Sequence, residues 1–169
     1  MNVRLIGVCF VVVACGLLGL KFASDLRTEM KALRDLIDIL NYMEWELHSR
    51  LTPLPQLCRA SAEHGKTLKR IFLCFALELE SQISPDTARC MEAAIRQYAD
   101  LSQPVKPYLL EFGNSCGKFD LEGQLSGIDA VRRKCAQSLE SLEKDKDIRV
   151  RNYQTLGLCA GAALAILLL

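Results

Sequence analysis

The sequence has no uninterrupted apolar run of the length that normally crosses a membrane. Its two longest apolar runs cover residues 5–20 and 156–169 at the two ends of the chain, and each is shorter than the roughly 20 apolar residues of a transmembrane helix. The flanking cations Arg4, Lys21 and Arg151 have long side chains that reach from a buried backbone to the membrane surface. Two short anchors, at residues 1–20 and 153–169, are therefore the simplest prediction.

A net charge of either sign is also lacking. The chain has 21 Lys and Arg residues against 20 Asp and Glu residues. Without Arg4, which precedes the first apolar run, the remainder is neutral. A neutral domain has no long-range basic field for nucleic acid, so we expect no nucleic acid partner.

Recognisable catalytic and metal-binding motifs are missing as well. There are eight cysteines and two histidines, but no C-x-x-C or H-E-x-x-H pattern. Residues 113–119, GNSCGKF, lack one residue between the glycines of a phosphate loop and carry Phe119 where a magnesium-binding Ser or Thr belongs. We therefore expect no enzyme activity, no cofactor and no small-molecule substrate. A thiol-dependent enzyme whose groups meet only in the fold is the less favoured alternative.

The stretch VVVACGLLGLKF, residues 11–22, allows three interpretations. It is a cleaved secretory signal, a lipoprotein attachment site at Cys15, or part of a permanent anchor. Residues 16–20 prolong the apolar run where a mature lipoprotein becomes polar. This favours the uncleaved anchor and leaves an exported lipoprotein acylated at Cys15 as the alternative.

Cations gather on the inner side of both apolar runs. They are Lys21, Arg27, Lys31 and Arg34 after the first run, and Lys144, Lys146, Arg149 and Arg151 before the second. Positive residues stay on the cytoplasmic side of a membrane. Residues 21–152 are therefore predicted to form a cytoplasmic domain, where cysteines remain thiols.

Apolar residues between the two anchors recur every three or four positions, which is typical of amphipathic helices. The first helix is predicted to reach His48 or Ser49, and its apolar pattern is broken at Glu44. Arg132 interrupts the apolar pattern of the last helix in the same way. Trp45 is expected in the core.

Helix start and stop signals divide the rest of the chain. Thr52 as N-cap and Pro53 in the first turn predict a helix that ends near Gly65, and a third helix follows over residues 68–83. Further boundaries are the start at Ser84, Pro85 and Asp86, a helix over residues 107–116 that ends at Gly117, and a last helix capped by Asp120. The fold class is therefore all-α, a cytoplasmic bundle of about six helices flanked by N- and C-terminal transmembrane helices.

This arrangement resembles the stage III sporulation protein AB family of endospore-forming bacteria. The resemblance rests on the segments LTPLPQL, EFGNSCGKFDLEGQL and NYQTLGLCAGAALAILLL, in this order between the two apolar ends. The residues that look like the family pattern are Thr52, Pro53, Leu54, Phe112, Gly113, Gly117, Asp120 and Gln124.

The resemblance implies a non-enzymatic membrane platform in the channel complex between mother cell and forespore, similar to the inner-membrane platforms of type II secretion and type IV pilus machines. It implies a location in the mother-cell membrane around the forespore. The expected partners are a secretion-type ATPase, stage III sporulation protein AA, and other channel components. The eight matched residues are the candidate partner contacts, since turns between rigid helices commonly present binding surfaces. Roles in the fold are the alternative for Pro53, Gly117 and Asp120.

Overall fold

The computed structural model describes residues 2–81, 86–98, 101, 103–116 and 120–168. Regular structure within these ranges is helical, which confirms the all-α prediction. The helices are α1 (Asn2–Arg50), α2 (Leu54–Ala62), α3 (Lys69–Ser81), α4 (Thr87–Arg96), α5 (Lys106–Ser115) and α6 (Leu121–Leu168), with a short 3-10 helix at Gln103–Val105.

The chain divides into two compact units. One unit is Glu29–Glu140, and the other combines Met1–Thr28 with Ser141–Leu169. Across the described ranges, no helix carries a stretch that is both long and apolar enough to cross a membrane. The structure therefore does not confirm the flanking transmembrane helices.

The core of the Glu29–Glu140 unit is built from one face of each helix. Phe72 and Phe75 of α3 pack against Phe112 of α5, with ring centroids 5.6 and 6.1 Å apart, and all three side chains are fully buried. Burying a side chain of this size contributes about 1.5 to 3 kcal/mol. Helix α3 is therefore central to this core. The α1 residues of this core are Met30, Leu33, Leu36, Ile39, Leu40, Met43 and Leu47.

The two charged residues that interrupt the apolar patterns of α1 and α6 face each other. The Nε atom of Arg132 lies 3.3 Å from Oε2 of Glu44, an ion pair that is not aligned as a hydrogen bond. Arg132 also pairs with Asp129, one turn earlier on α6. A charge on each helix is thus matched where the helices meet.

The predicted cap at Asp120 is confirmed, the predicted cap at Thr52 is wrong, and the cap of α4 is Asp86. Asp86 accepts a hydrogen bond from the Ala88 N–H at 3.2 Å, and Asp120 accepts one from the Gly123 N–H at 3.0 Å; both are N-caps, as predicted for Asp120. Pro53, and not Thr52, is the N-cap residue of α2. Thr52 donates instead to Oε1 of Glu46 at 2.9 Å, because this buried carboxylate needs donors. Ser84, Pro85 and Gly117 lie outside the described residues.

The prediction that Trp45 lies in the core is wrong. Its side chain is 57% exposed. Met43 and Leu47, two residues away on either side, are buried, and a step of two residues turns an α-helix by about 200°. Trp45 therefore points away from the face that α1 buries.

Candidate partner-binding surface

Two of the eight candidate residues belong to the core. Phe112 is fully buried, so its ring has no surface for a partner. Gly113 is buried where α5 meets α4: a Cβ atom at this position would lie 2.7 Å from the Cβ of Met91. Its carbonyl oxygen also accepts the Thr87 hydroxyl at 2.8 Å. Phe112 and Gly113 therefore hold the fold together, while Gly117 lies outside the described residues.

The other five candidates are at least partly accessible and lie in two segments. Pro53 and Asp120 are exposed, and Thr52, Leu54 and Gln124 are half-buried. The first three positions of LTPLP follow the end of α1, whereas Asp120 immediately precedes α6 and Gln124 lies in its first turn. A common surface requires these two segments to lie at the same end of the bundle.

One ion pair joins α1 to α6 near both segments. Glu44 of α1 contacts Arg132 of α6 within the Glu29–Glu140 unit. α1 ends at Arg50 and α6 begins at Leu121. At a rise of 1.5 Å per residue, these ends lie about 9 and 16 Å from the ion pair along their own helices.

Two exposed leucines adjoin these segments in the sequence, one before Thr52 and one after Asp120. Leu51 is 66% and Leu121 is 37% exposed. We define the turn surface as Leu51, Thr52, Pro53, Leu54, Asp120, Leu121 and Gln124. The exposure of Leu51 could have been predicted from the sequence. Thr52 precedes a proline and therefore avoids helical conformation. Helix α1 has to end before Thr52, so Leu51 lies beyond its buried face.

Leu51 is held in an unusual backbone conformation. Its φ is 53°, in the left-handed region that L-residues with a Cβ avoid. The next residue, Thr52, is fixed by its hydrogen bond to Glu46, and the Tyr42 hydroxyl lies 3.5 Å from the other oxygen of that carboxylate. The turn is therefore tied to the last two turns of α1.

The buried thiols have the opposite character to catalytic nucleophiles. Burial raises the pKa of Cys116 and of Cys135 to about 12. Burial, and then the nearby Cys116, raise the pKa of Cys58. A thiol nucleophile needs a lowered pKa. In the described part of the chain, no group of three or more His, Cys, Asp or Glu residues is placed to hold a metal ion.

The fold and the turn surface define a small α-helical bundle protein with a surface suited to protein contacts. The chain belongs to the stage III sporulation protein AB family, whose model matches residues 4–169. A solved structure of a stage III sporulation protein AB has a TM-score of 0.60 and 19% identity, covering 69% of this chain and 94% of that chain. At this identity the likeness concerns the fold. Among curated protein sequences, none matches this one.

Proposed function

We propose that this protein is a non-enzymatic platform of the sporulation channel complex between mother cell and forespore. The observation that carries the proposal is the family match over residues 4–169, which includes the central helices and both apolar ends. The raised pKa of the buried thiols Cys116 and Cys135 makes them poor nucleophiles, which favours the platform over the thiol-dependent enzyme.

Membrane attachment is part of this proposal. It is supported by the apolar runs at residues 5–20 and 156–169, which belong to one compact unit. Each run is short, and a bilayer accommodates short spans by local thinning and by snorkelling of flanking cations. The cations beside both runs then favour a cytoplasmic position for residues 21–152, with the anchors in the mother-cell membrane around the forespore.

The proposed partner of the turn surface is the secretion-type ATPase, stage III sporulation protein AA. Exposed leucines rimmed by polar residues are typical of protein-binding patches. Leu51 is followed by Thr52, and Leu121 lies between Asp120 and Gln124 in the sequence. A cytoplasmic turn surface is accessible to an ATPase. Helices α1 and α6 each continue into an apolar end of the chain, so binding at the turn surface would link the ATPase to the proposed membrane anchors.

Binding of the purified ATPase to the full chain in detergent micelles tests the proposal. We expect Leu121→Ala combined with Gln124→Ala to weaken binding about tenfold, as loss of a central contact does. Leu77→Ala is the matched control, because Leu77 is an exposed leucine of α3. Equal affinity of both variants and the parent protein would contradict the assignment of the surface. Unchanged far-ultraviolet circular dichroism establishes that each variant is folded.

A further inference from the structure

A second exposed surface runs along α1 on the side away from its buried residues. Lys31, Arg34, Asp38 and Trp45 are exposed and Tyr42 is half-buried. These five residues follow one another in steps of three or four, which places them on one side of a helix. This side is separate from the turn surface, which begins after α1 ends.

The connection between α2 and α3 forms a wall beside this side of α1. Both oxygens of the buried Asp35 carboxylate accept backbone hydrogen bonds from the connection, one from the Lys66 N–H at 2.6 Å and one from the Leu68 N–H at 2.7 Å. Two helical turns later, the ring of His64 stacks on Tyr42 with centroids 4.0 Å apart. We define the α1 groove as Lys31, Arg34, Asp38, Tyr42, Trp45, His64 and Lys66.

One end of the α1 groove is a positively charged pocket. A cavity of about 450 Å³ is lined by Lys31, Arg34, Asp35, Asp38, Lys66 and Thr67. Three cations therefore face two carboxylates, and both oxygens of Asp35 are already used by backbone N–H groups. The pocket is electrostatically complementary to an acidic group.

The other end of the groove is aromatic. Trp45 is the only tryptophan of the chain, and its ring centroid lies 5.9 Å from that of Tyr42. Exposed tryptophan and tyrosine side chains bury large areas when a partner covers them and are enriched among the residues that dominate binding energy. The aromatic end favours an apolar or aromatic side chain of a ligand.

We propose that the α1 groove binds an acidic segment of a partner protein, with its carboxylates in the cationic pocket and an apolar side chain against Trp45. Asp35 and Trp45 are ten positions apart on α1, about 15 Å at the helical rise, so three turns of a helical segment span the groove. Three cations mixed with two carboxylates favour a peptide over an anionic bilayer, since lipid-binding clusters contain about four to eight Lys and Arg. The inference does not depend on the ATPase as the partner of the turn surface.

Trp45 fluorescence tests the inference, because no other residue contributes tryptophan emission. The probe is a synthetic helical peptide without tryptophan, with three glutamates near one end and a phenylalanine three turns away on the same face. We expect a saturable shift of Trp45 emission when the peptide is added to the full chain in zwitterionic detergent. The same peptide with glutamine in place of glutamate should bind about tenfold more weakly.

Charge reversals locate the site. Lys31→Glu with Lys66→Glu should weaken binding of the acidic peptide at least tenfold, and both side chains are exposed, so the fold is retained. Arg89→Glu, which reverses an exposed cation on α4, should leave the affinity unchanged.

Two results would overturn the inference. The first is that the acidic peptide leaves Trp45 emission unchanged, or that it binds the Lys31→Glu, Lys66→Glu protein as tightly as the parent protein. The second is a shift produced by phosphatidylglycerol vesicles and not by the peptide, which would make the groove a lipid contact. Neither result affects the ATPase measurement, whose variants change Leu121 and Gln124.

Discussion

At the scale of single residues, Leu51 combines backbone strain with exposure. Its left-handed φ costs a residue with a Cβ about 1 kcal/mol, whereas Asn adopts this conformation more readily. We expect Leu51→Asn to leave the free energy of unfolding unchanged or raise it by up to about 1 kcal/mol in urea titrations. The same change should weaken ATPase binding, since it removes the most exposed leucine of the turn surface.

If Leu51→Asn weakens ATPase binding without lowering the free energy of unfolding, Leu51 contacts the ATPase despite its strained backbone. The control is Leu77→Ala, which alters an equally apolar exposed residue on a helix with ordinary backbone geometry. A Leu51→Asn protein that loses stability would mean that the leucine side chain supports the turn, and the contact role would be rejected.

Asp35 is a second residue with a measurable role. Its carboxylate satisfies the backbone N–H groups of Lys66 and of Leu68, which is buried. Asp35→Ala leaves both donors without this partner, and we expect a loss of about 2 to 4 kcal/mol in the free energy of unfolding. Asp38→Ala, on the exposed side of the same pocket, should change stability by less than about 0.5 kcal/mol. Equal effects of the two substitutions would show that the connection is held by other contacts.

The buried thiol of Cys116 predicts a loss of stability in alkali. Its pKa is raised from 9.0 to about 12 in the folded protein, so above pH 9 the unfolded chain releases this proton while the folded chain keeps it. Unfolding then becomes more favourable by up to about 1.4 kcal/mol per pH unit, and the stabilisation is fully present only below pH 9. Comparison of urea midpoints for the parent and Cys116→Ala at pH 8, 9 and 10, under reducing conditions, isolates this group. Parallel pH profiles would contradict the expectation.

At the scale of elements, Gly113 sets the approach of α5 to α4. A Cβ would lie 2.7 Å from the Cβ of Met91, which is bonded directly to the backbone of α4 and cannot rotate away. We expect Gly113→Ala to lower the free energy of unfolding by about 1 to 3 kcal/mol, the usual cost of overpacking, despite the higher helix propensity of alanine.

A glycine outside such a contact provides the control for this prediction. Gly123→Ala, in the first turn of α6 at a half-buried position, should be neutral or stabilising because alanine favours helix. Thermal denaturation of the two variants gives the comparison. If Gly113→Ala were as stable as Gly123→Ala, α4 and α5 would separate at little cost, and the close contact would not define their packing.

At the scale of the whole molecule, the side of the membrane on which the helices lie decides between the platform and the lipoprotein. The test is a Ser81→Cys variant in which the natural cysteines other than Cys15 are replaced by alanine, treated with a membrane-impermeant maleimide before and after lysis, with the same protein carrying Ser81 as the background control. Ser81 is exposed at the end of α3, so access depends on the membrane alone. We expect labelling only after lysis, as the cations beside the apolar runs indicate. Labelling in intact cells would favour acylation at Cys15 and remove a cytoplasmic ATPase from the partners.

The sequence by itself determined the features that depend on neighbours along the chain. The end of α1 before Thr52 and Pro53, the cap at Asp120 and the helix over residues 106–115 follow from side chains within about one turn, because capping and proline effects act over that distance. The buried face of α3 follows from its apolar spacing. The family resemblance, drawn from short motifs in order, is confirmed by the match over residues 4–169.

Only the tertiary structure decided which surfaces are exposed and which polar groups meet. Trp45 is outside the core because Met43 and Leu47 fill the buried face of α1. Thr52 donates to the carboxylate of Glu46 and does not cap α2. Asp35 accepts a hydrogen bond from the connection between α2 and α3, about thirty residues later in the chain. The ion pair of Glu44 with Arg132 joins two helices that lie near opposite ends of the domain's sequence. Such contacts depend on the packing of helices distant in sequence, and no local pattern encodes that packing.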